Sequence, residues 1–313
     1  MHPTIGHFIP DQLYVIAVIS NPARFESRYR LYRDFEQHMK ESGVTLITVE
    51  ACFGDRKHAV TDNNNPNHIQ VVQKDEAWIK ESLLNIGLSR LPKSAKYVAW
   101  IDSDVHFVNP NWAIEAIHEL QHHNVVQLFQ NAIDMGPNGE ALSTFTSFGH
   151  AYVNGKLDLA GPYGSAQKHP GFAYAARVET LSDLGGLIDY SIVGSADHIM
   201  AYALVGRVDE SLPGYVHPNY LKLAREWQTR ADTHVRGNFG YCKGTLLHFH
   251  HGPKRARQYN SRWDIVKKWN YDPETDIKKD IQGLVVLTDK GLRMLNDLRA
   301  YSRSRDEDSN SVT

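Results

Sequence analysis

The chain is poor in cysteine: Cys52 and Cys242 are the only two among 313 residues. Two thiols build no disulfide framework, and neither belongs to a Cys-x-x-Cys pair, so both are expected to be small buried side chains in a reducing compartment. Long apolar runs are missing too. Nothing approaches the roughly 18 residues of a membrane span, and the opening MHPTIGHFIPDQ lacks the basic-then-apolar order of a secretion signal. The expectation is a soluble, cytoplasmic protein. There is no internal repeat, and no Gly-rich, Lys-bearing phosphate loop follows the first apolar run, where SNPARF stands instead. That weighs against a nucleotidyltransferase making sugar nucleotides.

A net charge of -2 hides an uneven distribution. Residues 222–268 hold eleven Lys/Arg against Glu226, Asp232 and Asp264, a local +8, so the remainder carries -10. Such a segment suits an anionic partner: nucleotide phosphates, a nucleic acid or a phosphorylated glycan. A noncatalytic nucleic-acid-binding protein would account for this segment alone.

The central stretch is KYVAWIDSDVHF, residues 96–107. A short apolar run of strand formers ends in two carboxylates, Asp102 and Asp104, spaced by Ser103. Ligand crevices of open α/β sheets lie beyond the carboxyl ends of the strands, where carboxylates hold a hard divalent cation against phosphate oxygens. Upstream, LYVIAVI (13–19), a helical pattern from Phe25 to Met39 and a second strand at 44–49 open a parallel, doubly wound sheet. Residues 58–68 read as a loop and 75–90 as a helix, on which Lys80, Asn85 and Gly87 can face a nucleotide. A strand is expected at 125–129. Beyond residue 131 the texture turns to Gly, Ser, Thr and aromatics, and residues 134–164 read as loops and short strands over the crevice. GSAD (194–197) precedes an apolar helix, where Asp197 can cap the helix or face the crevice. HFHHGPK (248–254) sets His248 and His251 three apart across a turn at Gly252. A polar tail, 302–313, reads as disordered.

This order of features resembles the GT-A class of nucleotide-sugar glycosyltransferases over residues 12–288. The motifs that carry the resemblance are LYVIAVISNP, YVAWIDSDV, HPGFAYAARVETLSDLGG, GSAD and HFHHGPK. The His248-x-x-His251 spacing is similar to the galactosyltransferase branch, and WIKESLLN, VVQLF and HHGPKRARQY resemble glycosyltransferases of phages and bacteria. The class's usual Glu-Asp pair reads Ala196-Asp197 here, leaving a single acid.

The resemblance implies a Rossmann-like, mostly parallel central sheet with helices on both faces and a Gly-rich acceptor half. Residues 1–132 would form the nucleotide-sugar-binding half, 133–288 the acceptor and catalytic half, and 289–313 a terminal helix and tail. Mn²⁺ or Mg²⁺ would sit on Asp102, Asp104, His248 and His251. The donor, most simply a UDP-sugar, would meet Ser20, Asn21, Pro22, Arg24, Glu50, Lys80, Asn85, Asp102, Ser103 and Lys254. The acceptor would meet His169, Gly171, Asp197, His198 and Trp227, with Asp197 as the base of an inverting transfer. The basic segment and the phage likeness lean toward a hydroxymethylated pyrimidine in DNA, in the host cytoplasm if a phage encodes the chain; a carbohydrate or lipid-linked glycan is the other acceptor.

Overall fold

The structure, a computed structural model, describes residues 11–158 and 168–312. Its organising element is β1 (Leu13–Ser20), apolar at consecutive positions because both its faces are buried. Val15 and Ala17 enter one core and Ile16 the other. The first core takes Phe35 and Met39 from α1 (Glu26–Glu41). β2 (Thr45–Phe53) and β3 (His68–Gln73) follow, both parallel to β1, and α2 (Lys80–Ser89) packs Leu83 and Ile86 into the second core. Helices therefore cover both faces, as a doubly wound sheet requires.

β4 (Tyr97–Ile101) lies parallel beside β1, and the chain turns through Asp102-Ser103-Asp104 into β5 (Val105–Phe107). Next come α3 (Trp112–His122), β6 (Val125–Gln127), β7 (Asn131–Met135), β8 (Ala141–Thr146) and α4 (Phe148–Val153). β9 (Ala173–Arg177) inserts antiparallel between β4 and β6. Then follow α5 (Val178–Asp183), α6 (Ala196–Leu204), α7 (Pro218–His234), β10 (Phe239–Tyr241), β11 (Thr245–His248), α8 (Trp263–Trp269), β12 (Ile277–Lys279), β13 (Val285–Leu287) and α9 (Leu295–Ser304). The large sheet runs β10-β6-β9-β4-β1-β2-β3, and a smaller one runs β5-β11-β7-β8. This is the mostly parallel α/β arrangement that the GT-A resemblance implies. Among the described residues no helix is long and apolar enough to cross a membrane.

Four expectations need correction. The loop expected up to residue 68 gives way there to β3, a short strand, HIQVVQ, that an Asn-rich approach masks and in which only half the residues are apolar. The helix expected from residue 75 begins at Lys80, since Asp75 instead accepts the backbone N–H groups of Ala77 and Leu287. Gly87 does not face a nucleotide: a Cβ there would come within 2.6 Å of Ile16, so its absence lets α2 lie directly on β1. The tail is ordered through Val312 and partly buried, with Glu307 only 1% exposed. The covering loops expected at 134–164 include β7, β8 and α4, and their last part, 159–164, lies outside the described residues.

Candidate active site

The register of the small sheet explains why distant residues meet. β11 runs between β5 and β7, which places His248 opposite Val105 on one side and Asp134 on the other. Asp104 is the next residue back from Val105, and its carbonyl accepts the Phe249 N–H at 2.8 Å. The turn beyond carries His251 to the same point. Asp104, His248 and His251 thus offer ligand atoms that all lie within 4.8 Å of one another.

The contacts are directional. His251 Nε2 is 2.9 Å from one Asp104 oxygen, and His248 Nε2 is 3.8 Å from the other. On its far side, His248 Nδ1 meets Asp134 at 2.7 Å. Burial alone would raise the Asp104 carboxyl, but His251 and His248 outweigh it and hold it well below the usual carboxylate range. The bond to His248 and the Lys254 ammonium do the same for Asp134, again against burial. Both acids are anionic, and the His248 imidazole is kept neutral by burial, which outweighs its two acidic neighbours.

This trio borders a cleft of about 380 Å³, within the range of small-molecule sites. Of the residues expected to bind the donor, Ser20, Asn21, Pro22, Lys80, Asp102, Ser103 and Lys254 line it. Asp102 pairs with Lys80 and is not among the three side chains whose ligand atoms cluster. Burial and the Asp104 charge raise the Asp102 carboxyl, while Lys80 opposes them.

Three expected donor residues do not line the cleft. Arg24 is exposed, in a left-handed turn at φ 61°. Glu50 is buried, but its carboxylate is engaged by the backbone N–H groups of Ala59, Val60 and Thr61 and by the Thr61 hydroxyl, so it anchors a loop. Asn85 braces the turn at Gly186-Leu187, donating to the Leu187 carbonyl at 2.9 Å and accepting its N–H at 2.9 Å.

On the acceptor side, His169, Gly171 and Asp197 line the cleft. Gly171 leaves room for the acid: a Cβ there would stand 2.6 Å from Asp197 Oδ2. His169 stacks on Phe172 at 3.9 Å, and Phe172 in turn lies 4.6 Å from the His248 ring, so stacked rings run from His248 to His169 along the cleft wall. Burial and His248 push the His169 imidazole down to about 3. Asp197 sits in the first turn of α6, where the helix dipole favours an anion, and its Oδ1 accepts the His198 N–H at 2.8 Å. Its Oδ2 is left facing the cleft. The residue before α6, Ser195, is held at φ 78°, a costly conformation that sets the angle at which Asp197 enters. His198 and Trp227 do not line the cleft: His198 is buried against Tyr202, and Trp227 donates to the Gly186 carbonyl inside the second core.

Several residues of the site carried no sequence signal. Asp134, Glu81, Arg28, Arg257, Arg262, Arg305 and Glu307 all line the cleft. Arg257 donates to His251 Nε2 at 3.0 Å. Part of the expected basic surface is spent elsewhere: three of its eleven cations, Lys222, Arg225 and Lys268, pair with Glu274, Asp209 and Asp297. Two further cations of that segment, Arg257 and Arg262, are buried and turned into the cleft.

The chain is a mixed α/β domain whose large, mostly parallel sheet presents strand-end acids and a late pair of histidines to one cleft. No family model and no curated protein sequence matches the chain. Among solved structures it is similar to Drosophila beta1,4-galactosyltransferase 7 in complex with manganese, UDP-Gal and xylobiose, at 12% identity over 92% of this chain and 98% of that one, TM-score 0.43. It is also similar to glucosyl-3-phosphoglycerate synthase from Mycobacterium tuberculosis with Mn²⁺, UDP and phosphoglyceric acid, at 13% identity over 86% and 81%, TM-score 0.40. A third is S. aureus TarS with UDP-GlcNAc, at 11% identity over 76% of this chain, TM-score 0.41. The chain spans 58% of that TarS chain and 63% of a second Drosophila galactosyltransferase structure, with xylobiose.

Proposed function

We propose that this protein is a metal-dependent glycosyltransferase that moves a sugar from a nucleotide-sugar donor to a hydroxyl, with inversion. The observation that carries the reading is the convergence of Asp104, His248 and His251 on one point at the edge of the cleft that also contains Asp197. The donor set fits a divalent ion: Asp104 Oδ1 is buried with no hydrogen-bond partner, and Asp134 occupies His248 Nδ1, leaving Nε2 to ligate. Two imidazoles favour Mn²⁺ over Mg²⁺, which prefers oxygen ligands. When bound, the ion supplies charge that stabilises the departing diphosphate.

The chain's own groups do the rest. Lys254 stands beside the ligands and is the phosphate partner. Asp197 Oδ2 takes the acceptor's hydroxyl proton as the new oxygen–carbon bond forms. The bond from the anomeric carbon to the phosphate oxygen breaks, and its electron pair stays with the nucleoside diphosphate. One acid facing the acceptor suits a single in-line displacement.

Charge counting points to the acceptor. The cleft is lined by six cationic side chains, Arg28, Lys80, Lys254, Arg257, Arg262 and Arg305, and by six acids, Glu81, Asp102, Asp104, Asp134, Asp197 and Glu307. A divalent ion would leave an excess of about two charges, slightly more while Glu81 keeps its proton, which the donor's diphosphate largely takes up and which leaves little for a phosphorylated acceptor. Together with the paired surface cations, this favours a neutral carbohydrate hydroxyl over DNA. Transfer to a carbohydrate should change little between low and moderate salt; a steep loss with salt would return DNA as the acceptor.

The donor half is tested by thermal unfolding with a panel of nucleotide sugars, with and without Mn²⁺. A Mn²⁺-dependent rise in midpoint for one nucleotide, UDP-sugars first, is expected. No rise with any of them would defeat the reading.

A further inference from the structure

We propose that Glu307 is a positioning residue that sets the tautomer and orientation of His251, so that the last residues of the chain complete the metal site. This rests on the metal-dependent reading above. His248 shows the pattern: Nε2 faces Asp104, and Nδ1 is held by the Asp134 carboxylate at 2.7 Å. His251 repeats it with a different acid. Its Nε2 faces Asp104 at 2.9 Å, and its Nδ1 lies 3.6 Å from Glu307 Oε2. That Nδ1 is buried and has no hydrogen-bond partner of its own, so Glu307 is the acceptor in place for its proton. A carboxylate behind a ligating imidazole turns the other nitrogen's lone pair toward the metal, here into the place where the Arg257 guanidinium donates to Nε2 at 3.0 Å and would have to give way.

Glu307 is fixed well enough for this task. Its carboxylate takes Arg28 Nη2 at 2.7 Å and also pairs with Arg305, and these cations hold it anionic against the effect of burial. Arg28 belongs to α1, so the acid ties the start of the nucleotide half to the histidine turn. The neighbouring residues pin the strap on both sides. Asp308 accepts the N–H groups of Ser27 at 2.7 Å and Glu26 at 3.1 Å, capping α1 across the chain, and His250 bonds the Ser309 carbonyl at 2.9 Å. At Gly252, between these contacts, a Cβ would stand 2.4 Å from the Asp306 carbonyl oxygen, so only glycine lets the turn and strap meet.

The test uses the full chain, with Mn²⁺ binding followed by electron paramagnetic resonance and the His251 tautomer by long-range proton–nitrogen NMR in the metal-free protein. Wild type should show His251 protonated at Nδ1. Glu307→Gln should weaken Mn²⁺ binding by about 10- to 100-fold and shift His251 toward Nε2–H. Asp308→Ala, which loosens the same strap without removing the carboxylate at His251, should lower the melting temperature and leave the tautomer unchanged. Wild-type His251 protonated at Nε2 would overturn the inference whatever any variant does. So would Mn²⁺ binding in Glu307→Gln within twofold of wild type, or an equal tautomer shift in Asp308→Ala. Wild type that binds no Mn²⁺ would instead reject the metal-dependent reading, with the tautomer still reporting on Glu307.

Discussion

His248 Nδ1 and Asp134 Oδ1 lie 2.7 Å apart, joining two residues 114 positions distant in sequence. The contact follows from β11 pairing with β7, and it decides which imidazole nitrogen can ligate. Asp134→Ala would free His248 to adopt the other tautomer and would leave Lys254 without its carboxylate. Mn²⁺ affinity should fall about 10- to 100-fold, measured by calorimetric titration. Unchanged affinity would mean that His248 is not oriented through this bond.

Lys80 and Asp102 form an ion pair at the cleft wall, each about a quarter exposed. Asp102, Glu81 and Asp197 together raise the Lys80 ammonium's affinity for its proton despite burial, so it is a firmly charged partner. Lys80→Met would strand the Asp102 carboxylate and should cost about 1–3 kcal/mol in urea unfolding. Adding Asp102→Asn should recover part of the loss. A double variant as unstable as the sum of its parts would show that the two side chains act separately.

The legible part of this molecule was local. An apolar strand ending in Asp102 and Asp104 and a His-x-x-His turn announce themselves within a few residues, and the apolar runs of β1 and β4 give the sheet its centre. What stayed hidden was pairing over distance. Asp134 sits in the short strand NAIDM just ahead of a Gly-Pro-Asn-Gly turn, and nothing local distinguishes its carboxylate from a solvated one. The burial of Glu307 has no local signal for a physical reason: the composition of the tail argues against burying it, but Arg28 and Arg305 supply the charges that offset its desolvation. The same limit applies to Glu50, which stands just past the strand expected at 44–49 and so suggests a ligand contact, but lies inside β2 with its oxygens bound to backbone N–H groups of a loop.

Glu81 makes stability depend on pH. Burial, with Asp197 adding to it and Lys80 opposing, pushes its carboxyl from 4.5 up to about 7. The folded protein therefore keeps this proton where the unfolded chain has lost it, so the contribution to stability declines as pH rises from about 4.5 to about 7. Glu81→Gln should gain on wild type through that window, by about 3 kcal/mol once pH exceeds 7. Buried His169 and His198, both near 3, act in the opposite direction as pH falls below about 6.5, but they are common to both proteins and cancel in the difference. Denaturant unfolding of both proteins from pH 4 to pH 8 measures it. A pH-independent difference would mean that Glu81 titrates like an exposed acid.

On the proposed reading Asp197 is the residue on which the chemistry turns, and it can be separated from the donor site. Its Oδ2 faces Gly171, and its Oδ1 is held by the His198 N–H, an arrangement an amide can copy in shape but not in basicity. Asp197→Asn should therefore keep the Mn²⁺-dependent thermal shift with the nucleotide donor, since the metal ligands and Lys254 are untouched. Transfer should fall by about 10²- to 10⁴-fold, the usual worth of a positioned general base. Gly171→Ala offers an independent check, because its methyl group would press on the same oxygen. It should lower the transfer rate with donor binding preserved, whereas loss of donor binding in both variants would place Asp197 at the nucleotide instead of the acceptor.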